Sequence, residues 1–304
     1  MKFIVKNLIK TIPVLILITL IVFLLMRLTG DPVALMLPEE ATDEQREALT
    51  EALGLNKPIM VQYLIFLGDL VTGDFGNSYR YNTDALTIVL ERLPATFELA
   101  IFSMIVAVLI SVPCGIFSAV KRNSFLDLFI TGGAVLGKAM PNFWLGIMLI
   151  LLFSVTFQIF PVSGRGTFFH IILPAITLGT AIAAEMTRLI RSSMLEILDQ
   201  DFIRTARSKG LKEAIVINIH AFRNALIPVV TIMALQTSTL IGGTLITETV
   251  FAWPGLGQLL VQSVNLRDMA VVQAAVFLIA VLVILSNLIA DLVYRYLDPR
   301  IKYE

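Results

Sequence analysis

Gly132, Gly137 and Lys138 have the spacing of a phosphate-binding loop, in which backbone N–H groups and a lysine hold the phosphates of a nucleotide. That loop needs a Ser or Thr after the lysine to hold magnesium, and this sequence has Ala139. The segment also lies inside an apolar run, whereas a phosphate-binding loop joins a strand to a helix in a soluble domain. We therefore expect no nucleotide site here, and we interpret Gly133 and Gly137 as small residues that let helices pack closely.

Hydrolytic or metal-dependent chemistry would need histidines, cysteines or carboxylates that can meet in space. The chain of 304 residues contains one cysteine and two histidines, His170 and His220. His170 lies at the outer end of a predicted span and His220 in a basic cytoplasmic segment, so the two cannot share a metal ion or a catalytic triad. We expect no catalytic residue, no metal site and no bound cofactor on this chain.

Ionisable side chains within apolar runs are candidates for function, because placing a charge in lipid is costly. Lys138, shortly before Pro141, and Glu185 are such positions, and all three are candidates to line a transport pathway. A lysine in a watery cavity could meet a substrate carboxylate. Two simpler interpretations stay open: Lys138 reaches the membrane surface along its apolar stem, and Glu185 pairs with Arg188 three residues later.

Six long apolar runs must position these residues. The sequence is 57% hydrophobic and 15% charged, and about 20 apolar residues suffice for a helix to cross a bilayer. The alternating pattern of a transmembrane barrel does not occur. We predict an all-α polytopic membrane protein with a single transmembrane domain, residues 1–304. Its six transmembrane helices span about 8–28, 96–120, 128–160, 171–192, 225–247 and 269–293.

Charged residues divide unequally between the segments that connect these runs. Lys and Arg cluster near both ends of the chain, after the second run and between the fourth and fifth runs, whereas the stretch after the first run is acidic. Since basic loops face the cytoplasm, both termini are predicted to be cytoplasmic and residues 29–94 external. Within that region Thr42 is predicted to cap a short amphipathic helix, and a turn rich in glycine and aspartate follows at 72–79.

Residues 195–223, between the fourth and fifth runs, combine basic side chains with apolar residues at roughly helical spacing. Gly210 interrupts the pattern, so we predict two short cytoplasmic helices joined at a glycine elbow. A basic amphipathic helix beside a membrane often binds lipid headgroups. The small residues Thr205, Ala206 and Ser208, together with the fixed bend, instead favour a segment that inserts into a groove of another protein.

The stretch DFIRTARSKGL, followed by HAFRNALIP, resembles the cytoplasmic EAA-type loop of ABC importer permeases in the dipeptide, oligopeptide and nickel group. The resemblance extends to GDFGNSY, LPATFELA, MPNFWLGIMLI, ETVFAWPGLGQLL and LDPR, and it is to the first-permease type of this group. It implies the type I importer permease fold in a bacterial or archaeal cell membrane, with residues 195–223 as the coupling segment that docks on a cytoplasmic ATPase. The residues it assigns to ATPase coupling are Asp201, Arg204, Thr205, Ala206, Arg207, Lys209, Gly210 and Leu211.

The resemblance also implies partners for this chain. They are a second permease subunit, usually a distinct homologue, two cytoplasmic ABC ATPase subunits that bind ATP and magnesium, and an extracytoplasmic binding protein that delivers substrate. Gly210→Pro or Ala206→Glu is expected to uncouple transport without unfolding the spans. The external candidates for an outer gate or a binding-protein contact are Phe251, Trp253, Pro254 and Gly255.

Small peptides are the expected substrate. Nickel, free or as a chelate, and glutathione stay open as alternatives, because permeases for these substrates share the same motifs. A secondary transporter driven by an ion gradient would need buried carboxylates in discontinuous helices and paired repeats, which the sequence does not show. A membrane scaffold or receptor would not need the elbowed coupling segment.

Overall fold

The computed structural model describes residues 2–28, 33, 37, 41–52 and 54–297. Within that part the chain is helical and contains no strand, apart from one isolated antiparallel bridge between Asn77 and Asp84. The predicted all-α fold is therefore confirmed. The helices are α1 Lys2–Leu28, α2 Asp43–Ala52, α3 Ile59–Thr72, α4 Ala85–Val120, α5 Phe125–Ala139, α6 Asn142–Leu149, α7 Phe168–Leu198, α8 Asp201–Ser208, α9 Glu213–Ile215, α10 Phe222–Gly243, α11 Leu245–Val250, α12 Leu256–Asn265 and α13 Met269–Leu297.

Helices long and apolar enough to cross a membrane occur at four of the six predicted spans. The bent pair α5 and α6 is a fifth crossing if the pair is one span. The predicted first span falls on α1, of which Thr11–Leu25 is apolar in the part whose side chains the structure describes, and its crossing stays a prediction. The four long spans are Ala85–Val120, Phe168–Leu198, Glu213–Gly242 and Met269–Arg295.

The third predicted span, 128–160, is wrong as a single helix, because the chain bends by 105° between α5 and α6. Pro141 explains the break, since proline has no N–H for the helix ladder and forces the preceding residue out of helical geometry. Met140 accordingly has an extended ψ of 129°, and Pro141 has a φ of −62°. After the break, α6 continues as a π-helix over Ile150–Thr156.

The second predicted span begins too late, because α4 starts at Ala85 rather than near residue 96. The carboxylate of Asp84 precedes this helix and accepts hydrogen bonds from the backbone N–H and the hydroxyl of Thr87, both at 2.8 Å. Such a bond satisfies a donor that the first turn of a helix leaves unpaired. The charged residues Glu91 and Arg92 lower the local hydropathy, so the apolar pattern emerges only after the helix has begun.

The chain divides into two compact units. The first comprises Met1–Pro94 and Gly255–Leu282, and the second comprises Ala95–Pro254 and Val283–Glu304. The single transmembrane domain of the sequence analysis stays a prediction.

In the first unit, the predicted cap of α2 is confirmed: the hydroxyl of Thr42 accepts from the backbone N–H of Gln45 at 3.3 Å. The next helix, α3, is apolar although the surrounding region is acidic, and its helical structure escaped the sequence analysis. Tyr63 of α3 donates a hydrogen bond to the carbonyl of Ile16 in α1 at 3.0 Å, and its ring lies 5.3 Å from that of Phe23. The region between the first two predicted spans therefore includes a helix packed on α1.

A separate core of the first unit joins the turn at 72–79 to the start of α4, α12 and α13. The rings of Phe75 and Phe277 lie 5.6 Å apart. The hydroxyl of Ser78 donates to the buried carboxylate of Asp268, which directly precedes α13. The predicted turn is thus part of a packed core.

The second unit is organised around α7, of which a larger share is buried than of any other long span in the described chain. Two glycines allow α4 to approach α7 closely. A Cβ at Gly115 would lie 2.6 Å from the Ile190 side chain, and a Cβ at Gly179 would lie 2.8 Å from the carbonyl oxygen of Ser103. Any larger residue at these two positions would separate the helices, so the central packing of the unit depends on both glycines.

Candidate functional site

The predicted coupling segment contains one separate helix, α8, and not two. Residues from Glu213 onward run through a π-helix at Val216–Ala221 directly into α10. The predicted second short helix is wrong because neither glycine nor proline occurs between Glu213 and Pro228, so nothing ends the helix before the membrane span. At the other end, α7 extends as far as Leu198 and is separated from α8 by two residues.

One face of α8 packs against its own chain. Ile203 is fully buried and Ala206 is 7% exposed, and both belong to the apolar core that contains Ile190 and Met194 of α7 and Val216 of the π-helix. The end of α7, α8 and the start of the fifth span therefore form one packed body. A force applied to α8 would reach the spans through this packing, because close-packed side chains transmit displacement.

The other face of α8 is exposed and rich in charge. Phe202 is 44% exposed, an unusual position for a phenylalanine outside lipid. Ala206 is the exception among the predicted coupling residues, since its side chain points into the core of this chain. The predicted coupling residues with exposed side chains are Asp201, Arg204, Thr205, Arg207, Lys209 and Leu211, and Gly210 is also exposed.

The predicted elbow at Gly210 is present. Gly210 has a φ of +76°, a left-handed conformation that costs little only for glycine. Its N–H donates to the carbonyl of Arg207 at 2.9 Å, which closes the end of α8. Across the elbow, the guanidinium of Arg207 makes two hydrogen bonds to the Glu213 carboxylate, at 2.6 and 3.2 Å. The bond to Glu213 raises the pKa of Arg207, and the charged pair joins the two sides of the bend.

An ion pair that involves a buried carboxylate near the start of α5 was missed by the sequence analysis. The Asp127 carboxylate accepts two hydrogen bonds from the guanidinium of Arg191 in α7, at 2.7 and 2.8 Å. It also accepts from the hydroxyl of Ser118 at 2.5 Å and from the backbone N–H of Asn123 at 3.0 Å. This one carboxylate thus joins the end of α4, the following turn, α5 and α7.

Lys138 and Glu185 are brought together, which the sequence analysis did not predict. The Lys138 ammonium lies 2.9 Å from Glu185 Oε2, and the amide of Gln236 in α10 donates to the same oxygen at 3.1 Å. The predicted pairing of Glu185 with Arg188 is wrong, because α7 turns Glu185 toward α5 and α10 while Arg188 is exposed. Pro141 lies at the break between α5 and α6, three residues after Lys138. The three predicted pathway residues therefore come from α5, α7 and the break that follows α5.

The two glycines interpreted as packing residues differ in their surroundings. A Cβ at Gly137 would lie 3.7 Å from the Cβ of Ala184 and 3.5 Å from the Thr180 side chain, so Gly137 packs on α7 as predicted. A Cβ at Gly133 would have no neighbour within 4 Å, so Gly133 makes no close helix contact within the described part of this chain and its packing role stays a prediction.

Phe251 and Trp253 are buried in the second unit, at 2% and 1% exposure. The indole N–H of Trp253 donates to the carbonyl of Ala95 at 2.8 Å, and the guanidinium of Arg165 lies 5.8 Å from the centre of its ring. A Cβ at Gly146 would lie 3.0 Å from the Phe251 ring. A contact of these two aromatic side chains with another protein would therefore require them to leave this core. Pro254 follows them, and Gly255 precedes α12 in extended conformation.

Glu248 stabilises the turn that contains Phe251 and Trp253, and the sequence analysis did not identify it. Its side chain is fully buried, and one carboxylate oxygen accepts hydrogen bonds from the hydroxyls of Thr96 and Thr244, at 2.9 and 3.0 Å. Its carbonyl accepts from the backbone N–H of Trp253 at 2.8 Å. A carboxylate close after the apolar run 225–246 was the available signal, but the sequence does not say which distant donors surround it.

Comparison with known proteins gives matches over nearly the whole chain. Residues 111–303 match the family described as "Binding-protein-dependent transport system inner membrane component", and residues 1–100 match its N-terminal counterpart. The chain is 44% identical to the oligopeptide transport system permease protein AppB of Bacillus subtilis, with 99% of each chain covered. It is 41% identical to the dipeptide transport system permease protein DppB of Escherichia coli K12, with 100% of this chain and 99% of the relative covered.

A further permease and a solved transporter structure are also similar to this chain. The glutathione transport system permease protein GsiC of Pectobacterium atrosepticum is 42% identical, with 100% of both chains covered. The inward-facing MetNI methionine ABC transporter has a TM-score of 0.59 at 20% identity, covering 69% of this chain and 96% of that chain, which supports the fold alone. The predicted resemblance and the membrane location are confirmed. The chain belongs to the family of binding-protein-dependent transport system inner membrane components, and it is a multi-pass permease of the inner membrane.

Proposed function

We propose that this chain forms half of the translocation pathway of an ATP-driven importer for small peptides. The observation that carries the proposal is its similarity, over at least 99% of its length, to permeases named for oligopeptide and dipeptide transport. In this proposal an extracytoplasmic binding protein delivers the peptide, and a second, distinct permease subunit completes the pathway. The chain itself is not an enzyme and binds no cofactor.

In this proposal two cytoplasmic ATPase subunits bind ATP and magnesium and drive the transport. Residues 201–211 transmit their motion to the pathway. The geometry of α8 supports this role. Its inner face is packed into the spans while Phe202, Arg204 and Lys209 are exposed on the outside, so one short helix can contact a partner and its own core together. An exposed aromatic residue accompanied by an arginine is typical of the anchor residues of protein interfaces. Gly210 and the Arg207–Glu213 pair hold the bend that presents this helix.

Lys138, Pro141 and Glu185 line the pathway in this proposal, together with Gln236. The charged pair lies within the spans, Lys138 is 54% exposed and Glu185 is 33% exposed, which suits a polar cavity and not lipid. Lysine supplies donors, and the second oxygen of the carboxylate supplies an acceptor. Those are the groups that the carboxylate, ammonium and amide groups of a peptide need.

Phe251, Trp253, Pro254 and Gly255 act at the outer side as part of the external gate. Burial of the two aromatic rings favours a gate that rearranges over a direct contact with the binding protein. The hydrogen bonds of Glu248 and Trp253 fix one state of this turn.

Glutathione is the second candidate substrate, because GsiC matches both chains over their full length at 42% identity. Glutathione is itself a tripeptide with free carboxylates, so the same polar groups would serve it. A nickel chelate with organic carboxylates is the third.

The test is ATP hydrolysis by the full complex reconstituted in lipid nanodiscs with its binding protein. Dialanine, trialanine, a pentapeptide, glutathione and a nickel–histidine chelate are offered separately. We expect stimulation by the alanine peptides and not by the nickel chelate. Stimulation by glutathione alone or by nickel–histidine alone would overturn the peptide assignment and leave the permease assignment intact.

A further inference from the structure

Helix α5 is attached to α7 near both of its ends. Asp127, in its first turn, pairs with Arg191, and Lys138, in its last turn, pairs with Glu185. Between α5 and α7 the residue numbers run in opposite directions, so the two helices are antiparallel. Next to the second pair, Gly137 lies against Thr180 and Ala184 at van der Waals distance.

The attachment at Asp127 is much the stronger of the two. The Asp127 side chain is 7% exposed, and its bonds to Arg191 are bidentate and supported by Ser118 and Asn123. Leaving either charge without its partner in such a site is costly, so this end stays closed. The Lys138–Glu185 pair is a single contact between partly exposed groups, which contributes little and opens easily.

The strong end lies close to the coupling segment. Ile190 and Met194, which flank Arg191, are fully buried in the core that also holds Ile203 and Ala206 of α8. A displacement of α8 therefore moves the end of α7, and Arg191 moves with it. The weak end lies at the opposite end of α5, directly before the 105° break at Pro141.

We propose that α5 and α7 form one rigid arm that carries the motion of the coupling segment to the break at Pro141, with Asp127 and Arg191 as positioning residues. This inference rests on the proposed function only in that it needs a coupling segment driven by partner ATPases. The buried pair fixes the driven end of the arm. At the other end, the exposed side chains of Lys138 and Glu185 separate and pair again beside the pathway, while the helix backbones at Gly137 and Ala184 stay in contact.

A disulfide between α5 and α7 tests the rigidity of the arm. A Cβ at Gly137 would lie 3.7 Å from the Cβ of Ala184, within the range of about 3.5–4.5 Å that a disulfide needs. Gly137→Cys and Ala184→Cys are introduced together with Cys114→Ala, which removes the one native thiol. The single variant Ala184→Cys in the same background is the control for oxidation itself.

We expect the oxidised double variant in the complete reconstituted complex to transport dialanine at a rate within about twofold of the reduced protein, because a rigid arm loses nothing when it is cross-linked. Loss of transport on oxidation, recovered on reduction, would overturn the rigid arm, since it would show that α5 must slide along α7.

Asp127→Asn tests the positioning role. We expect transport per ATP hydrolysed to fall by roughly five- to tenfold, the scale of energetic coupling between distant sites, while hydrolysis stimulated by the binding protein persists. Oxidation of the disulfide in the Asp127→Asn background should restore at least half of the coupling. Asp199→Asn, a change at an exposed carboxylate near the same end of α7, should couple normally.

Normal coupling in Asp127→Asn, or no rescue by the disulfide, would contradict the positioning role. Where Asp127→Asn does not fold, the effect of disulfide oxidation on transport by the otherwise unchanged protein decides whether α5 and α7 form a rigid arm. The rates of uptake and of ATP hydrolysis can be compared between oxidised and reduced protein with whichever substrate stimulates the complex. A wrong peptide assignment would therefore leave this test readable.

Discussion

At the scale of single residues, the positive φ of Gly210 is the clearest backbone constraint in the proposed coupling segment. A Cβ there would meet no atom within 4 Å, so Gly210→Ala changes only the backbone preference at a φ of +76°. The left-handed conformation costs a non-glycine residue about 1–2 kcal/mol. We expect the bend after α8 to loosen and transport per ATP to fall, measured by parallel uptake and hydrolysis assays. Normal coupling would show that the elbow is dispensable.

Gly54→Ala is the matched control for this change. Gly54 also has a positive φ, +65°, and a Cβ there would make only ordinary contacts with the flexible Lys57 side chain. The strain is comparable but lies outside the coupling segment. Coupling should therefore be unchanged in Gly54→Ala.

Glu248 offers a second prediction at the residue scale. Glu248→Leu removes the acceptor that the hydroxyls of Thr96 and Thr244 use, and unmet buried donors cost about 1–3 kcal/mol. The unfolding temperature of the purified permease should fall clearly. Glu98→Gln, which weakens a partly exposed pair with Arg165, is the control and should shift it little. Equal shifts in both variants would contradict a special role for Glu248.

At the scale of elements, the break between α5 and α6 depends on one proline. Pro141→Ala permits Met140 to become helical, so α5 and α6 are expected to straighten toward a continuous helix and transport to slow severalfold. Uptake by the reconstituted complex measures this. Pro113→Ala is the control, since Pro113 is exposed within the continuous helix α4. A larger loss in Pro113→Ala than in Pro141→Ala would contradict the importance of the break.

Elements were predictable from the sequence where one local signal dominates. Apolar length located the later spans, and the Thr42 cap located α2. Apolar length gave the wrong helix bounds where local chemistry overrides hydropathy. This occurs at the early start of α4 after Asp84 and at the bend at Pro141. Proline was visible in the sequence, but prolines also lie inside continuous helices, as Pro174 does in α7, so the residue alone does not fix a break.

The candidate site was predictable only in part, for the same physical reason. Gly210 could be identified because a glycine between helical patterns is a local signal. The partner of Glu185 could not, since Lys138 is 47 positions away and only the packing of α5 on α7 selects it over Arg188. Asp127 and Arg191, 64 positions apart, are likewise a product of the tertiary structure.

At the scale of the whole molecule, the family membership and the contacts of the second unit lead to one account. In the proposed account, the permease receives motion from partner ATPases at α8 and passes it through α7 and α5 to a polar pair beside a broken helix. This account requires that transport depend on ATP hydrolysis by partner subunits. A secondary transporter of similar shape would depend on an ion gradient instead.

The most direct measurement is uptake of radiolabelled dialanine into proteoliposomes that contain the complete complex, with the binding protein outside and ATP or a non-hydrolysable analogue inside. We expect uptake only with ATP and with the binding protein present, and no change when an ionophore collapses the proton gradient. Uptake that persists without ATP hydrolysis and stops when the gradient collapses would contradict the account.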